Sequence, residues 1–221
     1  MSAFSRILRR DIRMAARSGG NWAYGLVFMG LFLGLSAIAL GGGMNSLQRI
    51  GVPLIWLGMT FAILISVDRA FSDDMEDGTI AQLYLSGMSF PTQAATKTVS
   101  FGLIYLLPLI LTVPIWALLF ALDKPTVIGL MLSLCCALPG LAGFTALAGA
   151  VTAAQSKGGF LAIFISGPLL IPLLIFGTAA TYGYVDSGLA TPALRVTLGL
   201  SLLSLAISIP ASAAALKANL D

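Results

Sequence analysis

The chain has 221 residues, of which 58% are hydrophobic and 10% charged, with a formal net charge of +3 and a mean hydropathy of +0.97. Soluble domains carry about 25% charged residues, so a water-soluble globular fold is excluded and an integral membrane protein is indicated. Histidine is absent and cysteine occurs only as Cys135 and Cys136, which argues against proton relays, histidine-ligated metals and a disulfide framework.

At the start of the chain, residues 3–20 read AFSRILRRDIRMAARSGG and sort on a helical wheel. Arg6, Arg9, Arg10, Arg13 and Arg17 share one face, opposite Phe4, Ile7, Leu8, Ile12, Met14 and Ala15. The pattern predicts a helix lying in the membrane interface with its arginines at anionic headgroups, ended by Gly19 and Gly20. Asp11 falls in the middle of the apolar face, where a carboxylate needs a partner. Arg69 or a backbone donor is the expected one, against the alternative of a solvated residue on a frayed helix.

Six uncharged segments follow, at 22–43, 50–67, 98–122, 127–154, 159–182 and 196–216. Each is predicted to cross the membrane as a helix, since a bilayer core takes about 20 apolar residues in that form. Runs such as FLAIFISGPLLIPLLIFGTAA (160–180) do not alternate as barrel strands would. No clear small-x-small cleavage site follows the first segment, so it is expected to be retained. Trp22, Tyr24, Tyr182 and Tyr184 suit the membrane interface. With the N-terminus inside, Arg6, Arg9, Arg10, Arg13, Arg17, Arg69, Lys97, Lys157 and Lys217 fall inside, and Arg49, Lys124 and Arg195 outside. That imbalance predicts cytoplasmic termini. The positive charge is therefore a topology signal, and no basic, aromatic-bearing soluble surface for nucleic acid is present.

Between the second and third segments stands RAFSDDMEDGTIAQLYLSG (69–87), which concentrates Asp73, Asp74, Glu76 and Asp77. Ser72 is predicted to cap a helix whose first turn holds the acids, where carboxylates favour the positive end of the dipole. Beyond Gly78, Ile80, Leu83 and Tyr84 recur at helical spacing, with Leu85 beside them and Gly87 and Pro91 closing the element. A solvated loop has no need of that apolar set, so the stretch reads as a docking surface for a cytoplasmic partner.

The membrane segments offer little chemistry. Cys135 and Cys136 read as small buried packing residues, and no nucleophile with a base, nor any metal-ligand cluster, can be drawn. Pro108, Pro114, Pro139, Gly140, Gly167, Pro168, Pro172 and Pro210 interrupt the helical segments. They serve as packing kinks or as places where the helices rearrange.

Three blocks give the chain a resemblance to the heme exporter protein B family: SRILRRDIRMAAR (5–17), DRAFSDDMEDGTIAQLYLSG (68–87) and KGGFLAIFISGPLLIPLLIFGTAA (157–180). After QLYL this chain reads SGMSFP, where the family has a Leu-Pro-Leu type segment. The resemblance implies an all-α integral membrane protein of six transmembrane helices, an ABC-2-type (type V exporter-like) permease. It would form one domain over 1–221, with an interfacial helix at 1–20 and a cytoplasmic coupling segment at 68–97. It further implies a subunit of the ABC transporter complex for cytochrome c-type biogenesis in the bacterial inner membrane. Asp73, Asp74, Glu76, Asp77, Gly78, Ile80, Leu83 and Tyr84 would then couple to a partner ATPase, which binds and hydrolyses ATP. The absence of a GxxxxGK[ST] motif here agrees with that division. The implied partners are that ATPase (cytochrome c maturation protein A type), membrane subunits of the C and D types, and a periplasmic heme chaperone of the E type. Heme would be handled by the complex, with no cofactor bound by this chain. Two rival readings are an ABC-2-type permease exporting another hydrophobic substrate and a non-transporting membrane scaffold.

Overall fold

The computed structural model describes residues 3–17, 20, 23–41, 43–67, 71–155 and 158–220, and among these there is no strand. The element order is α1 (Ala3–Arg17), α2 (Tyr24–Ala39), α3 (Met44–Ser66), α4 (Ser72–Glu76), α5 (Thr79–Leu85), α6 (Phe90–Phe101), a π-helical turn (Gly102–Leu106), α7 (Leu107–Leu119), α8 (Lys124–Thr152), α9 (Gly158–Ser187), a 3₁₀ turn (Gly188–Ala190) and α10 (Pro192–Ala218). Among the described residues, five helical stretches are long and apolar enough to cross a membrane: Asn45–Ser66, Phe90–Leu119, Lys124–Thr152, Gly158–Ala190 and Pro192–Ala218. The chain is thus an all-helical, multi-pass membrane protein. The first apolar segment forms a helix of only 16 residues, about 24 Å at 1.5 Å per residue, short of a core of about 30 Å.

The bundle is centred on α8, which packs most extensively on α9 and α10, while α3 joins α2 to α9. Small residues make this close approach possible. A Cβ on Gly140 would lie 2.7 Å from the Ser201 Cα, and one on Gly177 would lie 2.2 Å from the ring of Trp56, which is fully buried. Prolines sit inside α3, α7, α8, α9 and α10, and each helix continues through them. At Pro139 the neighbouring helix supplies the polar groups. The Gly140 N–H donates to Ser201 Oγ at 2.7 Å, and Ser204 Oγ donates to the Gly140 carbonyl at 3.0 Å. Two serine hydroxyls of α10 therefore hold the backbone of α8 at the residue that follows the proline.

Two expectations need correction. Cys135 is exposed on α8 and Cys136 is partly so, so neither is a buried packing residue. The third apolar helix begins at Phe90 rather than at 98. Its polar opening residues Gln93, Thr96, Thr98 and Ser100 are buried against protein. Thr96 and Thr98 return their hydroxyls to carbonyls one turn back in the same helix, which lets a polar stretch continue an apolar helix.

Candidate functional site

One end of the bundle gathers α1, α4, α5 and the first turns of α6, with α1 packed along α6. The amphipathic start is helical throughout α1, which ends at Arg17, and Gly20 beyond it has a φ of +95°. Ile7 and Asp11 form its buried side. Phe4, Leu8 and Ala15 are half-buried, Ile12 and Met14 exposed. Arg6, Arg9, Arg13 and Arg17 are exposed and Arg10 half-buried. Together with Met14 these five arginines edge an open hollow of about 420 Å³.

Asp11 is 5% exposed, so the solvated alternative fails. Its partners are Arg10 and Lys97; Arg69 lies outside the described residues. Arg10 Nη2 donates to Asp11 Oδ1 at 2.9 Å and to both carboxylate oxygens of Asp74 at 3.0 Å. Lys97 Nζ stands 3.1 Å from Asp11 Oδ2 and also pairs with Asp74 Oδ2. Two cations and two carboxylates from α1, α4 and α6 thus form one neutral cluster, with Asp11, Asp74 and Lys97 nearly out of solvent. Burial alone is costly for every member and is offset only by this mutual pairing. The balance is visible at Arg10: burial pulls the guanidinium pKa down, Asp74 and Asp11 pull it up, and the net direction is up from its ordinary value.

The acidic stretch folds as two short helices with a left-handed residue between them. α4 ends at Glu76 and is capped by Asp77, whose N–H bonds the Asp73 carbonyl, and Gly78 follows at φ +68° before α5 begins. A side chain there would meet nothing within 4 Å, so glycine is demanded by backbone conformation and not by space. Ser72 is the first helical residue of α4 and Phe71 occupies the cap position, which corrects the predicted serine cap. α5 closes with Gly87 at φ +88°, the Gly87 N–H on the Tyr84 carbonyl and the Met88 N–H on the Leu83 carbonyl. This paired closure, with glycine in the left-handed conformation, ends the helix at SGM. Pro91 belongs to the first turn of α6 and does not close α5.

The sequence-predicted site residues divide into two sets. Asp74 and Ile80 are buried and hold the element down; Leu83 and Gly78 are intermediate. Asp73, Glu76 and Asp77 are exposed, as is Tyr84 at 52%, its ring stacked on Phe90 with centroids 4.5 Å apart. Leu85, at 84%, is the most exposed large apolar residue of those described. Sequence spacing missed Lys97, which reads as the last charge before an apolar run. A groove of about 410 Å³ separates Arg6 and Ile7 of α1 from Leu83, Ser86, Gly87 and Met88. Among the described residues no group of three or more Cys, Asp or Glu side chains is placed to hold a metal ion.

The chain matches the family model described as CcmB protein over residues 2–219. It belongs to the CcmB protein family. It is 36% identical over 223 residues to heme exporter protein B of Bradyrhizobium diazoefficiens, covering 100% of both chains. It is 33% identical to heme exporter protein B of Paracoccus denitrificans over 97% of this chain and 98% of the relative. With that of Escherichia coli K12 it shares 31% identity over 80% of each chain. The acid-rich α4–α5 element and the arginine-bearing α1 lie inside the stretch matched by this CcmB-family model.

Proposed function

We propose that this CcmB-family chain is the permease subunit of an ABC transporter complex for heme export and cytochrome c maturation, and that its α4–α5 element receives a separate ATPase. Family membership over residues 2–219 carries the reading. What supports the coupling role is the exposed set Asp73, Glu76, Asp77, Tyr84 and Leu85 on an element anchored from beneath by Asp74 and Ile80. Leu83 and Tyr84 seat the contact by apolar packing, the carboxylates meet basic groups on its rim, and Gly78 sets the bend between the two short helices.

In this reading the fold is an ABC-2-type permease with α2 as a sixth, short span, and both termini are on the cytoplasmic side of the bacterial inner membrane. The excess of arginine and lysine at the α1 end, against Arg49, Lys124 and Arg195 at the other, favours that orientation. Arg6, Arg9, Arg13 and Arg17 lie along the headgroup layer while Leu8 and Ile12 dip toward the acyl chains. The ATPase is of the cytochrome c maturation protein A type, and it supplies the nucleotide site. Membrane subunits of the C and D types and a periplasmic heme chaperone of the E type complete the complex. The movement driven through this subunit supports loading or release of the chaperone. Heme is handled elsewhere in the complex, since the chain has no histidine and Cys135 faces outward.

Purification of the tagged chain from its own membranes tests the reading. The expected result is an ABC ATPase and a heme-handling membrane protein in the eluate. Recovery with an ATPase from a lipid-export operon would instead favour a permease for another hydrophobic substrate, and recovery with neither would favour a scaffold.

A further inference from the structure

The acid-rich element is fastened to α6 at three places. Asp74 pairs with Lys97, Gln93 Nε2 donates to the Met88 carbonyl at 3.1 Å, and Tyr84 stacks on Phe90. Of these only the first is a buried charge pair, and it is shared with α1 through Arg10 and Asp11. α6 in turn continues without interruption into a membrane-crossing stretch, Phe90–Leu119. Within that stretch, just beyond Lys97, lies the π-helical turn Gly102–Leu106. A π turn holds one residue more than the α-helix needs, and its loss or migration shifts the helix register by one position. The chain therefore has a rigid joint at the point where load arrives and a compliant turn directly after it.

We infer that Asp74 and Lys97, with Arg10 and Asp11, are positioning residues that transmit movement of the α4–α5 element into the α6–α7 membrane helix. This rests on the proposed docking of an ATPase to that element. The physical reason is directional stiffness. Apolar contacts between short helices slide at little cost, whereas a desolvated ion pair loses most of its compensation once its partners separate. With both carboxylates held by both cations, α4 cannot shift without taking α6 and α1 along. Neutralising one member leaves the docking face intact, because Asp73, Glu76, Asp77 and Leu85 are exposed and take no part in the cluster. The node therefore separates two properties that a purely structural contact would lose together: holding the ATPase and using its work.

The test uses the full chain co-expressed with its ATPase and the remaining maturation components, in variants Lys97→Met and Asp74→Asn. Membrane abundance, ATPase retained on purification and cytochrome c yield are read in parallel. The expected result is that each single variant retains the ATPase but lowers yield about tenfold. Should a single variant fail to insert, Lys97→Arg and Asp74→Glu take its place, since they keep the charge and alter only its reach. Full yield in the single variants overturns the inference, and so does loss of ATPase and yield in parallel. Wild-type chain that retains no ATPase at all overturns the docking reading itself and the inference with it.

Discussion

Two regions of this molecule bury polar groups in opposite ways. In the α8–α9–α10 bundle the buried groups are hydroxyls. Thr145, Thr152, Ser166 and Thr181 return to carbonyls of their own helices, and Ser201 and Ser204 reach one turn of α8. Each such bond is worth about 1 kcal/mol and none depends on a distant charge. At the α1 end the buried groups include charges, and each of these depends on residues from other elements. The first arrangement tolerates loss of any one member. The second concentrates its stability in a few contacts, which suits a region that has to move as a unit.

Lys97→Met gives the largest expected separation of the two regions. Removing it leaves Asp11 and Asp74 sharing Arg10 alone, and breaking a buried pair costs about 3 kcal/mol. Hydrogen exchange should accelerate across residues 72–85 and in α1, with α8, α9 and α10 unchanged. Uniform acceleration through the bundle would mean the cluster stabilises the whole fold. Gly140→Ala is the mirror experiment. Its Cβ would press on the Ser201 backbone at 2.7 Å, so α10 must move away from α8. An overpacking loss of about 2 kcal/mol is expected, seen as a lower detergent melting temperature with the α4–α5 exchange rates preserved.

These predictions mark where sequence and structure part. The long helices were legible because uncharged apolar runs have one economical fate in a bilayer, and the arginine face of α1 because its periodicity is strong. That Asp11 required a partner was also legible from its place on the apolar face. The identity of that partner was not. Lys97 is 86 positions further on (97 − 11 = 86) and belongs to a polar stretch, PTQAATK, that reads as loop until its burial against α1 is known. Asp74 was read with Asp73, Glu76 and Asp77 because composition does not tell which of four neighbouring acids turns inward; the period of a short helix sets that, and it selects the one above Lys97. Leu85 stood beside the predicted apolar set but only the fold shows it as the outermost member.

Smaller effects sharpen the comparison. Gly78→Val forces a β-branched residue into a left-handed backbone at φ +68°, at a cost of roughly 1–2 kcal/mol. Gly78→Asn, which accepts that conformation, should lose markedly less, and equal losses would point to packing in place of backbone strain. Ser201→Ala removes the acceptor of the Gly140 N–H and should cost about 1 kcal/mol. It should leave the α1 end untouched, as a thermal melt paired with exchange data would record.

The central claim is that the exposed face of the α4–α5 element takes up an ATPase. Its most direct test is quantitative co-purification of the ATPase with wild-type chain, with Leu85→Ala, with Tyr84→Ala and with Asp77→Asn. Truncating an apolar anchor costs about 2 kcal/mol and a rim charge less. Leu85→Ala and Tyr84→Ala should therefore release most of the ATPase while Asp77→Asn retains it, all three proteins remaining in the membrane. Equal recovery of the ATPase with wild type and every variant would contradict the claim.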